Sequence, residues 1–147
     1  SLDLKRADTK SGFGVTSHGG RELTELDAME WVRKVQDLGA GELLVNSIDA
    51  DGTRDGFDIE LIERIRAIST VPLIASGGAG KLEHFVAAAN AGADALLAAS
   101  VFHFKEIEIK IFYKGKTLSL PSSFCTTPFA SILPSARRSA TASNWFS

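Results

Sequence analysis

The residues best suited to chemistry in this chain lie in two small-residue turns and a few carboxylates near them. ASGGAG (75–80) follows an apolar run and precedes a segment with helical periodicity. Adjacent Gly77 and Gly78 let a backbone come close to a ligand and offer unpaired N–H groups to an anion, so a phosphate would fit. The same pair equally suits a plain strand-to-helix turn in which glycine only relieves strain. ASVFHF (99–104) adds a second such turn, with Ala99 and Ser100 at its start. Asp3, in SLDLKR, either points into the structure, where burial would raise its pKa and fit it for proton transfer, or pairs with a neighbouring base as a structural residue. Asn46, Asp49, Asp51 and Gly52 follow a third apolar run. There the DADG stretch either shapes an Asx turn or faces a ligand, and its carboxylates lack the spacing of a calcium loop. His18, His84 and His103 are scattered without ligand spacing; His84 reads as helix surface and His103 as a loop residue. Cys125, the only cysteine, has no disulfide partner and no zinc framework. No metal site is expected.

Those residues matter only if a fold brings them together, and the chain's pattern supplies one. GELLVNSI (41–48), VPLIAS (71–76) and ADALLAAS (93–100) read as strands, the first as a buried strand because its apolar residues are nearly continuous and no solvent alternation is visible. SLDLKR reads as the end of another strand. Between them, FDIELIERIRAIS (57–69) repeats Ile59, Ile62, Ile65 and Ile68 on one amphipathic face. KLEHFVAAANAG (81–92) is a helix closed by Gly92. LTELDAMEWVRKVQDLGA (23–40) is a helix capped by Thr24, with Asp27 as capping partner and Gly39 as stop. Four strands alternating with helices through short connections imply an α/β fold with parallel strands, and sites at the strands' carboxyl ends. DLGAGELLV (37–45) and NAGADALLA (90–98) repeat one device, which suits units of a (β/α) barrel; two phosphate-type turns on consecutive strands suit it too.

Composition excludes several classes of function. At 147 residues the chain allows one ordinary domain, and 44% apolar with 23% charged residues describes a globular protein. No apolar run approaches a membrane span. The start resembles no signal peptide and reads as cut, so the cytoplasm is the default expectation. All acidic residues precede position 110, while 111–147 hold four bases and no acid, so the chain changes character there. No basic face with interleaved aromatics suggests nucleic-acid binding.

HGGR (18–21), GAGELLVNSIDADGTRDGFD (39–58), IASGGAGKLEHF (74–85) and DALLAASVFHF (94–104) closely resemble the cyclase-subunit family of imidazole glycerol phosphate synthase, of histidine biosynthesis. The resemblance covers about residues 1–109. It implies a (β/α)8 TIM barrel of which this chain supplies the C-terminal half, units five to eight. It further implies ammonia delivered by a glutaminase partner and a substrate carrying two phosphates, converted to imidazole glycerol phosphate and an aminoimidazole carboxamide ribotide without metal or organic cofactor. On that resemblance Asp3 is one of two acid/base aspartates. Asp51, Gly52, Gly77, Gly78, Ala99 and Ser100 hold one phosphate, and Asn46 lies beneath the substrate.

Two departures qualify this expectation. Units one to four, with the other aspartate and the other phosphate site, lie outside the chain, and one acid/base group does not serve both sides of a substrate. Residues 110–147 follow no family pattern; three of the chain's prolines interrupt them, and their Ser/Thr-rich composition predicts low order. The alternative is therefore a half-barrel that binds phosphate or phosphorylated ligands without catalysis, and that self-associates through its uncovered surfaces.

Overall fold

A computed structural model describes residues 1–108, so the expected tail, 110–147, lies outside the described residues. Ten elements follow one another: β1 (Leu2–Arg6), β2 (Phe13–Ser17), β3 (Glu22–Asp27), α1 (Ala28–Asp37), β4 (Leu43–Ser47), α2 (Ile59–Arg66), β5 (Leu73–Ser76), α3 (Leu82–Asn90), β6 (Ala95–Leu97) and α4 (Ser100–His103). The strands form one sheet in the order β3-β2-β1-β4-β5-β6. β1, β4, β5 and β6 are parallel neighbours, as their pattern predicts. The fold is α/β with a sheet rich in parallel pairs.

Two strands were not foreseen. After β1 the chain turns back through β2, which pairs antiparallel with β1, and β3 then pairs antiparallel with β2. The first helix consequently starts at Ala28 rather than near Leu23. Thr24 is not its cap, because its hydroxyl donates to the Val15 carbonyl (2.7 Å) within the hairpin. The cap is Asp27, whose Oδ1 accepts from the Met29 and Glu30 amides (2.9 and 3.1 Å) and whose Oδ2 accepts from the Ser11 amide (2.7 Å). Leu23 and Leu26 looked like the first turn of an apolar helix face but are exposed on an edge strand. Here strand pairing overrides a local periodicity that spans too few residues to form a helix alone.

The parallel strands advance in one direction across the sheet, with no point at which the order reverses. Crossovers of one hand then place every helix on the same face, unlike a doubly wound sheet with helices on both. Burial agrees with this. Leu2, Leu4, Leu43, Val45, Leu73 and Ala75 are buried with Val32, Leu61, Ile62, Ile65, Phe85 and Ala88 of the helices, and α1 packs on α2 as α2 does on α3. The alternate residues Asp3, Leu44, Asn46, Ile74 and Ser76 are only half-buried. β4 has no exposed residue, with Leu43, Val45 and Ser47 buried and Leu44 and Asn46 half-buried, and among the described residues helices cover only one of its faces.

The repeated device is seen directly. Gly39 and Gly92 take φ of 95° and 103°, which glycine adopts without penalty. Each is followed by an alanine that closes the helix, Ala40 N–H to Val35 O (3.0 Å) and Ala93 N–H to Ala88 O (3.2 Å). Helix α2 is shorter than its pattern predicts and begins at Asp58, whose Oδ1 accepts from the Leu61 amide (3.1 Å). Asp58 also pairs with Arg6 (3.2 Å), as does Glu60 (2.8 Å), and Asp49 Oδ2 accepts from the Arg6 amide (2.6 Å). This network ties the loop after β4 to the end of β1.

Asp27 generates a prediction. Burial pushes its carboxyl up, but the Ser11 side-chain and amide bonds and the two helix amides outweigh that and hold it at about 2. A depressed folded-state value stabilises above the unfolded value near 4 and is lost as pH falls through about 2. Asp27→Ala should cost about 1–2 kcal/mol in urea unfolding at pH 7. Against Asp27→Asn, the wild-type advantage should hold constant above about pH 5 and shrink as pH falls through 4 toward 2. A pH-independent difference over that interval would show that the cap does not act through its charge.

Candidate functional site

Three loops at the carboxyl ends of β4, β5 and β6 enclose a cavity of about 280 Å³. Its walls are Asn46, Asp51, Gly52 and Arg54 from the first, Ser76, Gly77, Gly78 and Ala79 from the second, and Leu97, Ala98, Ala99 and Ser100 from the third. Seven of the eight residues to which the resemblance gives a role thus converge: Asn46, Asp51, Gly52, Gly77, Gly78, Ala99 and Ser100. Asp3 is the exception. It sits one residue into β1, beside Asn46 in the parallel register, and shares its half-buried face without lining the cavity.

The glycines of the second loop have a structural reason that stands apart from any ligand. Gly77 and Gly78 take φ of 93° and 96°. A Cβ on Gly77 would lie 2.8 Å from Ser47 O and 3.0 Å from Asn46 Oδ1, and one on Gly78 would lie 2.0 Å from Gly56 O. At Gly80 it would meet Arg54 O at 2.1 Å. The loops after β4 and β5 therefore touch backbone to backbone, with the Gly56 amide donating to Gly78 O (2.8 Å). Behind them Phe57, Phe85 and Phe102, one from the first loop, one from α3 and one from α4, pack ring on ring with centroids 5.6 and 6.3 Å apart. Such pairs contribute about 0.5–1.5 kcal/mol each beyond their burial, and together they hold all three loops.

The amides of the second loop divide into used and unused. His84, expected on the helix surface, is half-buried, and its Nδ1 accepts from the Gly80 and Lys81 amides (3.1 and 3.3 Å). This fixes Nδ1 as the unprotonated nitrogen of that arrangement. It does the capping, since the Lys81 side chain has no acceptor to offer. Among the described residues, no hydrogen bond is donated by the amides of Gly78, Ala79 or Ser100. Unpaired amides in a glycine-rich loop make a ready anion cradle. Asp51 and Gly52 are exposed at the cavity's edge, and the Asp51 amide donates to Ser47 O (2.9 Å) in a turn. Asp49 faces Arg6 rather than the cavity.

Arg54 escaped the sequence reading. It lines the cavity at φ 65°, pairs with Glu106 (2.7 Å) and stacks on Phe104 (5.6 Å). A left-handed conformation costs a residue with a side chain roughly 1–2 kcal/mol, so this placement is held by its surroundings. Only a cation inside the DGTRDG loop hinted at it, and nothing in local sequence says which way such a side chain turns. Among the described residues no cluster of His, Cys, Asp or Glu could hold a metal, and no helix is long and apolar enough to cross a membrane.

The loop contact leads to a second prediction. Gly52 has a positive φ but open space around its missing Cβ, so Gly52→Ala should cost only the left-handed strain of roughly 1–2 kcal/mol. Gly78→Ala must also separate two backbones and should cost on the order of 4 kcal/mol. Equal shifts of the two variants in denaturant midpoint would refute the loop contact.

Comparison with known proteins gives these loops a context. A family model described as histidine biosynthesis protein matches residues 1–108. The chain is 65% identical over 109 residues to a protein of Clavibacter michiganensis named imidazole glycerol phosphate synthase subunit HisF, covering 74% of this chain and 41% of that one. Identity is 66% over 110 residues to the protein of the same name from Leifsonia xyli, and 63% over 113 residues to that from Thermobifida fusca, covering 43% and 44% of those chains and 74% of this one each time. The chain thus spans less than half the length of the curated relatives it matches. Across its described residues, with the strand order and loop cluster given above, the chain belongs to the histidine biosynthesis protein family.

Proposed function

We propose that this chain is the C-terminal half, units five to eight, of the cyclase subunit of imidazole glycerol phosphate synthase, and that its cavity takes one phosphate of a substrate carrying two. The observation that carries this reading is the convergence of seven residues from three successive strand ends on one cavity with unpaired amides. An anion there meets N–H groups that no acceptor among the described residues has claimed, and glycines that let it approach the backbone. Asn46 lies at the base, where its amide can reach a substrate lying over the strand ends. Asp51 is acceptor-only when ionised, as phosphate oxygens are, so it serves a substrate hydroxyl at the cavity edge rather than the phosphate itself.

Asp3 is the proposed acid/base group. Its register beside Asn46, on the same half-buried face of the sheet and one strand away from that cavity-lining residue, supports this reading. The reaction joins ammonia from a glutaminase partner to the substrate, closes the imidazole ring and expels a carboxamide ribotide. These steps move protons on both sides of the substrate, and Asp3 serves one side. For this chain alone the reading is binding without turnover. The half-buried apolar Leu44 and Ile74 and the 42% exposed Leu97 favour a surface that a further set of units covers.

Two measurements test this. The full chain titrated with inorganic phosphate should shift the amide resonances of Gly78, Ala79 and Ser100, and phosphate binding that leaves them unmoved would refute the cavity assignment. Mixed with a polypeptide carrying the first four units of a relative, the chain should show ammonia-dependent turnover. Asp3→Asn should lower that turnover by at least about a hundredfold while phosphate affinity stays within about twofold. Turnover by the chain alone, abolished by Asp3→Asn, would overturn the binding-only reading.

A further inference from the structure

Among the described residues that line the cavity, Arg54 is the only cation and Asp51 the only anion. The Arg54 backbone is wedged against Gly80, whose absent Cβ would strike the Arg54 carbonyl, and is left-handed at φ 65°. In the segment after α4, Lys105 is also left-handed at φ 58°, and the next residue, Glu106, lies 2.7 Å from the guanidinium. Two of the three left-handed residues with side chains among those described thus flank a single ion pair. The pair bridges the first loop to the segment after the third, with Phe104 beneath the guanidinium.

This pair is poorly suited to a purely structural role. Its side chains are 44% and 36% exposed, and an ion pair in that setting holds weakly because water competes for both partners. A phosphoryl group on the neighbouring amides would bring nearly twice the charge of a carboxylate, with oxygens spaced for the same guanidinium fork. We infer that Arg54 is the exchangeable cation of this cavity: it divides its time between Glu106 and a bound phosphoryl group, and Glu106 acts as an internal competitor that sets the affinity. The inference rests on the reading that the cavity takes phosphate. Phe104 gives the guanidinium a flat surface to slide on, so the exchange requires a change of side-chain direction and no movement of the loops.

Competition of this kind has a sign that a mere clasp between loops does not share. If Glu106 competes, removing its charge frees Arg54 and tightens phosphate binding; if the pair only holds the loops in place, removing it loosens them and weakens binding. The full chain is titrated with inorganic phosphate at constant ionic strength, and the Gly78 and Ser100 amides are followed. Glu106→Gln should tighten binding about two- to fivefold, the factor an exposed pair of ordinary strength withholds. Arg54→Asn, which tolerates the left-handed conformation, should weaken binding about tenfold, and adding Glu106→Gln to it should change nothing further. Arg54→Gly, which removes the cation while relaxing the backbone, should repeat that loss and so separates charge from folding. Unchanged or weaker binding by Glu106→Gln would overturn the inference. Tightening that persists without Arg54 would do the same, by assigning the effect to general repulsion. A wild-type chain whose amides ignore phosphate at tens of millimolar would overturn the phosphate reading along with it, whereas binding with the wrong response to Glu106→Gln overturns the exchange alone.

Discussion

Parallel neighbours joined in one direction across the sheet constrain everything else in this structure. β1, β4, β5 and β6 lie in order with no reversal, so crossovers of the usual hand keep every helix on one face. The side chains then separate by parity. Leu2, Leu4, Leu43, Val45, Leu73 and Ala75 pack beneath the helices, while Asp3, Asn46 and Ser76, one position off, occupy the other face. A single-residue slip in any of these strands would exchange the two sets, placing a carboxylate among leucines. The packed residues and the candidate site residues are thus alternate residues of the same short strands, and the register that secures one set positions the other.

The loops obey a different constraint, set by backbone contact. Residues 49–57 must pass close enough to 77–80 for the Gly56 amide to reach Gly78 O, and side chains at Gly78 or Gly80 would block that approach. The same closeness keeps the Gly78 and Ala79 amides away from helical or strand partners. Amides that make no hydrogen bond among the described residues are therefore a by-product of how two loops are packed, and that packing by itself requires the glycines. Asp49 and Asp58 complete the arrangement from below by holding the first loop to Arg6, which couples the cavity wall to the core strand that carries Asp3.

Much of this was legible in the sequence, for reasons that also explain where legibility ended. The strands of 41–100 and the glycines after α1 and α3 are local signals, and the parallel order follows from short alternation of strand and helix. The convergence of Asn46, Gly77, Gly78 and Ser100 followed from the rule that parallel sheets gather function at their carboxyl ends. The β2–β3 hairpin was missed because LTELD carries leucines at a helical spacing, and only pairing with FGVTS reveals it as a strand. His84 and Arg54 were missed for another reason. Their roles depend on which way one side chain turns, toward the Gly80 amide or toward Glu106, and that direction is set by residues 4 and 52 positions away.

The charges of the cavity follow from the same geometry. A ring of amides from the second and third loops offers only partial positive charge, and Asp51 at its edge works against an anion. On the proposed phosphate reading a full cation offsets that carboxylate, and among the described residues no helix or strand residue lining the cavity is one. Arg54, left-handed in the first loop, is the cation present, and its guanidinium reaches the segment after α4. There the guanidinium meets Phe104 and Glu106, so its direction is maintained without burial and its charge stays available at the rim. The left-handed backbone at Arg54 thus holds an exposed cation at the rim of the cavity, beside the amides of the second loop.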